Sequence, residues 1–536
     1  MKKVDIAIAG SGIACTATLI EVFNKLVEAP VAAKLSIAVF EKNNEFWYGI
    51  PYGSRSSVNA LTITSVYDFF TDEKERNLFF AWFKQNKAAL IGYYLANGGY
   101  TAQQWLQRNS DALNTEDYKN VYLPRFMCGK YTQSKFDRLL KIVEEEGLVE
   151  LHLITAEVID VSPENGTYIV KYEARDKSIA LLTATKVVIA TGSAPAKDVG
   201  LPEGNDAMTL INNLYEPRVD ENIAAITKAL SNVENADEGN VLLLGSNASS
   251  IEFLYLLAGL PQVLELINKL VVISPSGRFP YHIVKKTLDS YPANNLDKLK
   301  EAGSYTLETL VAASMQDIKI AVEGGVIVPH IDRIIGYTME LLGSLDENAK
   351  RRFIGVHGMQ LSNQFRRSGT DYKGGEGLLI EMQKLVMLKG YFKAIELTGN
   401  SGVLQYTDPE TGEEKTYTDK FKVTINCTGA NELEQSSSRL IYNLVHKGLA
   451  SVNLSGKGFL VNEKFEAAPN LYVMGPLLGG NKNARIHFWH LENASRIMYL
   501  APFLAECLTD ESLQSDLPKK FELTKRYQEA GQHLSL

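Results

Sequence analysis

VDIAIAGSGIACTATLI, residues 4 to 20, decides the fold. Its first half is a short β-branched and alanine-rich run, its middle is a glycine turn, and IACTATLIEVFNKLVE carries apolar residues at helical spacing. The order is strand, turn, helix. A second apolar run, KLSIAVFEK (34 to 42), ends in Glu41 and Lys42 and completes a βαβ unit. A right-handed crossover makes its two strands a parallel pair.

The turn holds Gly10, Ser11, Gly12, Ile13 and Ala14, with Cys15 in the third small position of a GxGxxG-type pattern. A dinucleotide diphosphate needs the N–H groups of a helix N-terminus, and glycine lets the backbone approach it. Glu41, at the end of the second strand, is placed to accept hydrogen bonds from an adenosine ribose. A tight turn that merely packs helix on strand is the bland alternative.

Working outward, residues 62 to 146 are helical and aromatic and form an insertion. Strand patterns return in LHLITAEVIDV and TYIVKYEA, and KVVIATGSAP runs from a buried strand into Thr191 and Gly192. NVLLLGSNASSIEFLYLLAG (240 to 259) repeats the strand, turn and helix, with KLVVIS as its next strand. Residues 290 to 390 look mostly helical, and KFKVTINCTGA and NLYVMGPLLGG are again strands that break into glycine loops. The expected fold class is α/β, with two Rossmann-like units and helical insertions. A first unit covers 1–205 with its insertion at 62–146, a second covers 238–420 with an insertion at about 290–390, and 421–536 returns to the first.

The late glycine loop, with Gly475 and Pro476, resembles the segment that lies against the flavin in two-dinucleotide flavoproteins, and ATG at 190 to 192 resembles their intermediate motif. FAD is therefore expected in the first unit. The second turn departs from the pattern, because Asn247 follows Gly245 where a second glycine is usual. Ser249, Ser250 and Glu252 nevertheless match the nicotinamide site of flavin N-hydroxylases. SPSGR then offers Ser274 and Arg278 with no acid at the strand end, which favours NADPH over NADH. Arg278 as a solvated loop cation, and a Rossmann-shaped unit without nucleotide, stay open.

With these residues in place the chain resembles the bacterial FAD-NAD(P)-binding family, related to flavin-dependent N-hydroxylating monooxygenases. The matching points are GSGIAC, VFEK with GIPYG and Asn59, LPRFMCGKY, and LYVMGP with LENASR. The resemblance implies that Gly49, Tyr52, Asn59 and Arg125 line the flavin side of the site. GNKNARIHFWH departs from that family in being so polar, and it brings in Arg485, His487 and His490. These can bind an acidic substrate or assist proton transfer. Surface histidines are an equal alternative, and a metal site is not expected, since no carboxylate motif accompanies the pair.

Composition narrows the rest. With 45% hydrophobic and 22% charged residues and a net charge of −8, the chain suits a packed enzyme and not a nucleic-acid binder. Its 4 cysteines form no Cys-x-x-Cys pair, which excludes the usual disulfide reductases and suits a reducing cytoplasm. Asp5 and the early glycines argue against a signal peptide, and no membrane span is expected. The expected function is an NADPH-dependent monooxygenase acting on a small amine or amino-acid-like substrate. A flavin reductase without oxygen insertion, and a flavin-binding interaction protein with a degenerate nicotinamide site, are the alternatives. Oligomeric state is not legible.

Overall fold

The computed structural model describes residues 2–29, 34–200, 208–235, 238–282, 293–323, 328–364 and 366–509; for 328–332 it describes the backbone alone. β1 (Lys2–Ala9), α1 (Ile13–Glu28) and β2 (Leu35–Glu41) form the expected opening unit. β1 and β2 are parallel, with Ile6 opposite Ile37 and Ala9 opposite Phe40. β3 (Val149–Glu164) extends the parallel set beyond β2. β4 (Thr167–Ala174) and β5 (Ile179–Ile189) return as antiparallel neighbours, and β5 then closes against the free side of β1. The strand Leu471–Val473 adds to β5 in parallel.

The core strands are buried on both faces, which is why they read as continuous apolar runs rather than alternating ones. α1 is buried around most of its circumference for a related reason. One side rests on the sheet, and another packs along the closing helix Ala494–Thr509, whose Leu500, Leu504 and Leu508 share its core.

A second sheet is wholly parallel, in the order Leu385–Lys389, Leu270–Ser274, Val241–Leu244, Val423–Asn426, Thr209–Ile211. It draws one strand from the chain beyond residue 420 and another from the stretch before residue 238, because each strand completes a hydrogen-bond ladder that the contiguous segment leaves open. The strand Leu385–Lys389 likewise falls inside the segment expected to be helical, where its apolar residues cover Leu270–Ser274. Glu73–Thr115 and Arg125–Glu145 are the main helices of the first insertion. The second carries helices from Asn294 to Glu381, with a five-residue π-helical turn at Phe353–His357. Among the described residues no helix is long and apolar enough to cross a membrane.

Candidate functional site

Register brings the motifs together. Because Ala9 lies level with Phe40 and Ile189, and Ile189 with Val473, four strands end at the same edge of the first sheet. Gly10, Glu41, Thr191 with Gly192, and Gly475 with Pro476 therefore leave from one line of strand ends. That carboxyl edge is where open parallel sheets bind ligands.

The turn itself is built for close approach. Gly10 has φ +97°, and a Cβ there would lie 2.5 Å from the Ala190 carbonyl oxygen. Gly12 meets Gly49 across the turn, with a Cβ on Gly12 falling 3.3 Å from Gly49 Cα. The loop carrying Gly49 is pinned there, since Trp47 donates its N–H to the Ser11 carbonyl at 2.9 Å and Thr16 Oγ1 donates to Trp47 O at 2.9 Å. No side chain caps α1, so its first N–H groups face the turn without an internal carboxylate or hydroxyl. Ile13 and Ala14 begin that helix, and a Cβ on Gly475 would come 3.2 Å from Ala14 Cβ. An uncapped helix start with Gly10, Gly12, Gly49 and Gly475 drawn around it leaves backbone, not side chain, facing the site. That donor set fits a diphosphate.

Glu41 Oε2 accepts from Ser11 Oγ at 2.8 Å and Ser11 N at 3.3 Å, and Oε1 accepts from Asn43 N at 3.0 Å. Its carboxylate is thus aimed at the turn. Lys42 instead pairs with Glu216 at 3.1 Å. Tyr52 is buried, and burial pushes its hydroxyl well above the usual range. Asn59 donates Nδ2–H to Gly98 O at 3.2 Å, next to the break at Gly99 in the long helix, while its buried Oδ1 has no partner among the described residues.

The second turn duplicates the first. Gly245 has φ +96°, and a Cβ there would lie 2.6 Å from the Cys427 carbonyl oxygen, as Gly10 does to Ala190. Asn247 stands where Gly12 does, in a similar extended conformation (φ −92°, against −73°), exposed and without a capping bond. Its exposure shows that the position tolerates a side chain. Ser250 Oγ turns back to Gly245 O at 2.7 Å, and Ser274 Oγ accepts from Ser246 Oγ at 2.9 Å. Ser249 lies in the first turn of the helix Ala248–Ala258 beside them. Arg278 donates to Gln364 O at 2.8 Å and lies 4.0 Å over the Tyr281 ring, so it is engaged with protein in this state.

Glu252, one turn further along, is 2% exposed and forms an ion pair with Arg125. It also accepts from Tyr215 OH at 3.0 Å and Tyr372 OH at 3.2 Å. Arg125 Nε donates to Leu61 O at 2.7 Å. The sequence pairs neither Tyr215 nor Tyr372 with this site, because both lie in segments without a motif; only packing brings them to one buried cluster between the two units.

The polar loop divides its three candidates. Arg485 pairs with Glu506 at 3.6 Å and lies over Phe503, and His487 is exposed and stacked on Phe488. His490 is different. Burial first, and then the Arg496 and Arg366 cations, hold its imidazole down to about 4, and its buried Nδ1 has no partner among the described residues. The ring is therefore neutral at pH 7. The unfolded chain takes up the proton near 6.5 and the folded chain only near 4, so this group's contribution to stability is complete above pH 6.5 and drains away as pH falls toward 4. A ring-carbon NMR titration is expected to find His490 neutral at pH 5.5; a midpoint near 6.5 contradicts its burial.

Two units with parallel strands at their centre, each opening on a glycine turn at a strand end, define the two-dinucleotide-binding flavoprotein fold. The family model described as FAD-NAD(P)-binding matches residues 7–194. Uncharacterized proteins of Mycobacterium tuberculosis and Mycobacterium bovis are 33% identical over 507 residues, covering 94% of this chain and 95% of theirs. The chain belongs to the same family as these mycobacterial proteins, and residues 7–194 form its FAD-NAD(P)-binding domain. Among solved structures, similar folds include the reduced form of ornithine hydroxylase from Pseudomonas aeruginosa (TM-score 0.52, 12% identity, 98% of this chain and 99% of that one). A cadaverine monooxygenase from Erwinia amylovora, solved bound to FAD, gives 0.53 at 13% identity over 96% and 97%. L-lysine 6-monooxygenase from Pseudomonas syringae gives 0.53 at 14% identity over 94% and 99%.

Proposed function

We propose that this chain is an FAD-dependent, NADPH-consuming monooxygenase that acts on the nitrogen of a small amine or amino acid. The observation that carries the reading is the repeated glycine turn, Gly10 against Ala190 and Gly245 against Cys427, which supports a diphosphate at each turn. The solved relatives named above, which act on ornithine, cadaverine and lysine, support the choice of substrate class.

In this reading Gly10, Ser11, Gly12, Ile13 and Ala14 hold the FAD diphosphate on backbone N–H groups, and Glu41 takes the ribose, with Lys42 beside it. Gly49, Tyr52, Asn59, Arg125, Thr191, Gly192, Gly475 and Pro476 line the rest of that cofactor. Gly245, Asn247, Ser249, Ser250, Ser274 and Arg278 form the NADPH side, where Arg278 exchanges its bond to Gln364 for the 2′-phosphate. Bound FAD supplies the redox chemistry, and the protein supplies orientation and charge. The four cysteines are buried and none is in a disulfide, so no exposed dithiol competes for the electrons.

Asn247 favours a second reading, a flavin-binding interaction protein that has lost nicotinamide, because its exposed side chain stands where a diphosphate would approach. Anaerobic stopped-flow mixing separates the two. Bleaching of the flavin by NADPH, faster than by NADH, is expected. A yellow protein that NADPH never bleaches overturns the oxidoreductase assignment, and bleaching without hydroxylated amine in air leaves a reductase.

A further inference from the structure

The second glycine turn is tied to the loop that follows its next strand. Ser246, beside Gly245, has its Oγ 2.7 Å from Arg278 O, and Gly277 donates its N–H to Ser274 Oγ at 3.1 Å. Gly277 takes φ +60°, and a Cβ there would lie 2.8 Å from Lys389 Cβ, so the loop folds against the ends of the strands Leu270–Ser274 and Leu385–Lys389. A nucleotide whose diphosphate lies on the Gly245 turn sends its adenosine toward these strand ends. Arg278 and Tyr281 leave the loop there.

Beyond them lies a cleft of about 290 Å³, whose other wall is the helix Leu307–Glu323 of the second insertion. Small-molecule pockets begin at about 300 Å³, so the cleft holds one end of a dinucleotide and not all of it. Ala312, Gln316, Lys319 and Glu323 line it at helical spacing and are exposed to solvent, while Met315 and Val322 add apolar surface.

The two walls differ in chemistry. On the loop side the Arg278 guanidinium lies 4.0 Å from the centre of the Tyr281 ring, and on the helix side an apolar stripe carries one cation. A purine, flat on both faces, fits between a guanidinium and the Met315 and Val322 side chains. The cations remain to be answered. Arg278 is engaged with the Gln364 carbonyl and the Tyr281 ring, neither of them an anion. Lys319 meets Glu323, one turn on, at 3.8 Å, with both side chains largely exposed. Such a pair is worth under about 1 kcal/mol and yields to a closer, more highly charged anion. A ribose 2′-phosphate answers both cations, whereas the 2′-hydroxyl of NADH answers neither.

We infer that the second insertion, and not the dinucleotide unit alone, selects the coenzyme: helix Leu307–Glu323 closes an adenosine pocket over Arg278 and Tyr281, and Lys319 joins Arg278 on the 2′-phosphate. This rests on the reading of the Gly245 turn as the nicotinamide-nucleotide site, and gives the insertion a role that no motif announces.

The test is a calorimetric titration of FAD-loaded protein with adenosine 2′,5′-bisphosphate and with 5′-AMP, which differ in the 2′-phosphate alone. The bisphosphate is expected to bind at least about 10-fold more tightly. Lys319→Gln is expected to weaken it by about 5- to 30-fold, the scale of one partly exposed charge-assisted hydrogen bond, and to leave 5′-AMP within about 2-fold. Glu323→Gln, which removes the competing carboxylate, is expected to tighten the bisphosphate by about 2-fold. Ala312→Trp fills the cleft from an exposed helix position and is expected to weaken both ligands at least about 10-fold, with an unchanged melting temperature showing that the fold is kept. Unchanged bisphosphate affinity in Lys319→Gln, an equal loss for both ligands in that variant, full binding in Ala312→Trp, or no bisphosphate binding by the parent protein overturns the inference. Flavin bleaching is followed on the same samples. NADPH bleaching whose preference over NADH is unaltered in Lys319→Gln sinks the role of the insertion alone, and selective bisphosphate binding without bleaching sinks the oxidoreductase reading alone.

Discussion

Gly12→Ala is expected to give a folded protein that has lost at least about 100-fold in FAD affinity. The backbone at Gly12 has φ −73°, which alanine adopts without strain, and the added Cβ meets Gly49 Cα at 3.3 Å, a contact relieved by a shift of a few tenths of an ångström. The fold should therefore survive. What cannot survive is the approach of an anion to the α1 N–H groups between Gly12 and Gly49. Loss of two charge-assisted hydrogen bonds, at about 1.5–3 kcal/mol each, exceeds the ~2.7 kcal/mol that corresponds to 100-fold. Gly10→Ala is the wrong probe for this purpose, because a Cβ at 2.5 Å from the Ala190 oxygen, on a backbone at φ +97°, disrupts the β1–β5 edge as well. The check is the ratio of flavin to protein absorbance in the purified variant, with a denaturation midpoint alongside. A stable, fully yellow Gly12→Ala protein would remove the diphosphate from this turn.

Glu252→Ala should be the most destabilising single change at the boundary between the units, by about 3–5 kcal/mol, because it leaves the Arg125 guanidinium buried and unpaired. Desolvation of an isolated cation, not loss of attraction, dominates that figure. It follows that Arg125→Met combined with Glu252→Leu should recover at least half of the loss: Arg125 is then gone, and the single Tyr372 O–H, released from the carboxylate, can donate to Leu61 O, 2.9 Å away. Urea unfolding of Arg125→Met, Glu252→Leu and the double variant forms the cycle. If the double variant is as unstable as the sum of the singles, Arg125 and Glu252 are not coupled and each serves its own unit.

These two sites differ in how far the amino-acid order announces them. Gly10, Gly12 and Glu41 are legible because a diphosphate turn needs its residues within one βαβ segment, so the chemistry is written in consecutive residues. Gly245 is legible for the same reason, even with Asn247 in place of glycine, since the φ +96° turn depends on the first glycine and not on the second. Arg125 and Glu252 are each singled out by motif, yet assigned to different cofactors; that they hold each other follows only from the meeting of two helices 127 residues apart in sequence.

The rest of the candidate chemistry lies further from any motif. Arg485, His487 and His490 look equivalent in GNKNARIHFWH, and packing alone separates them: one pairs with Glu506, one faces solvent, and one is enclosed with Arg366 and Arg496. His357 and Trp489 carry no sequence signal, since a histidine at the end of a helical turn and a tryptophan in a loop are common core residues. Trp489 meets Gly358 only because the second insertion closes on the loop after Gly479.

Local order thus determined the two glycine turns, their strands and the class of cofactor, because a backbone turn and its helix dipole depend on neighbours along the chain. Tertiary structure alone decided which charges are paired and which histidine is neutral, because desolvation and Coulomb interaction depend on neighbours in space.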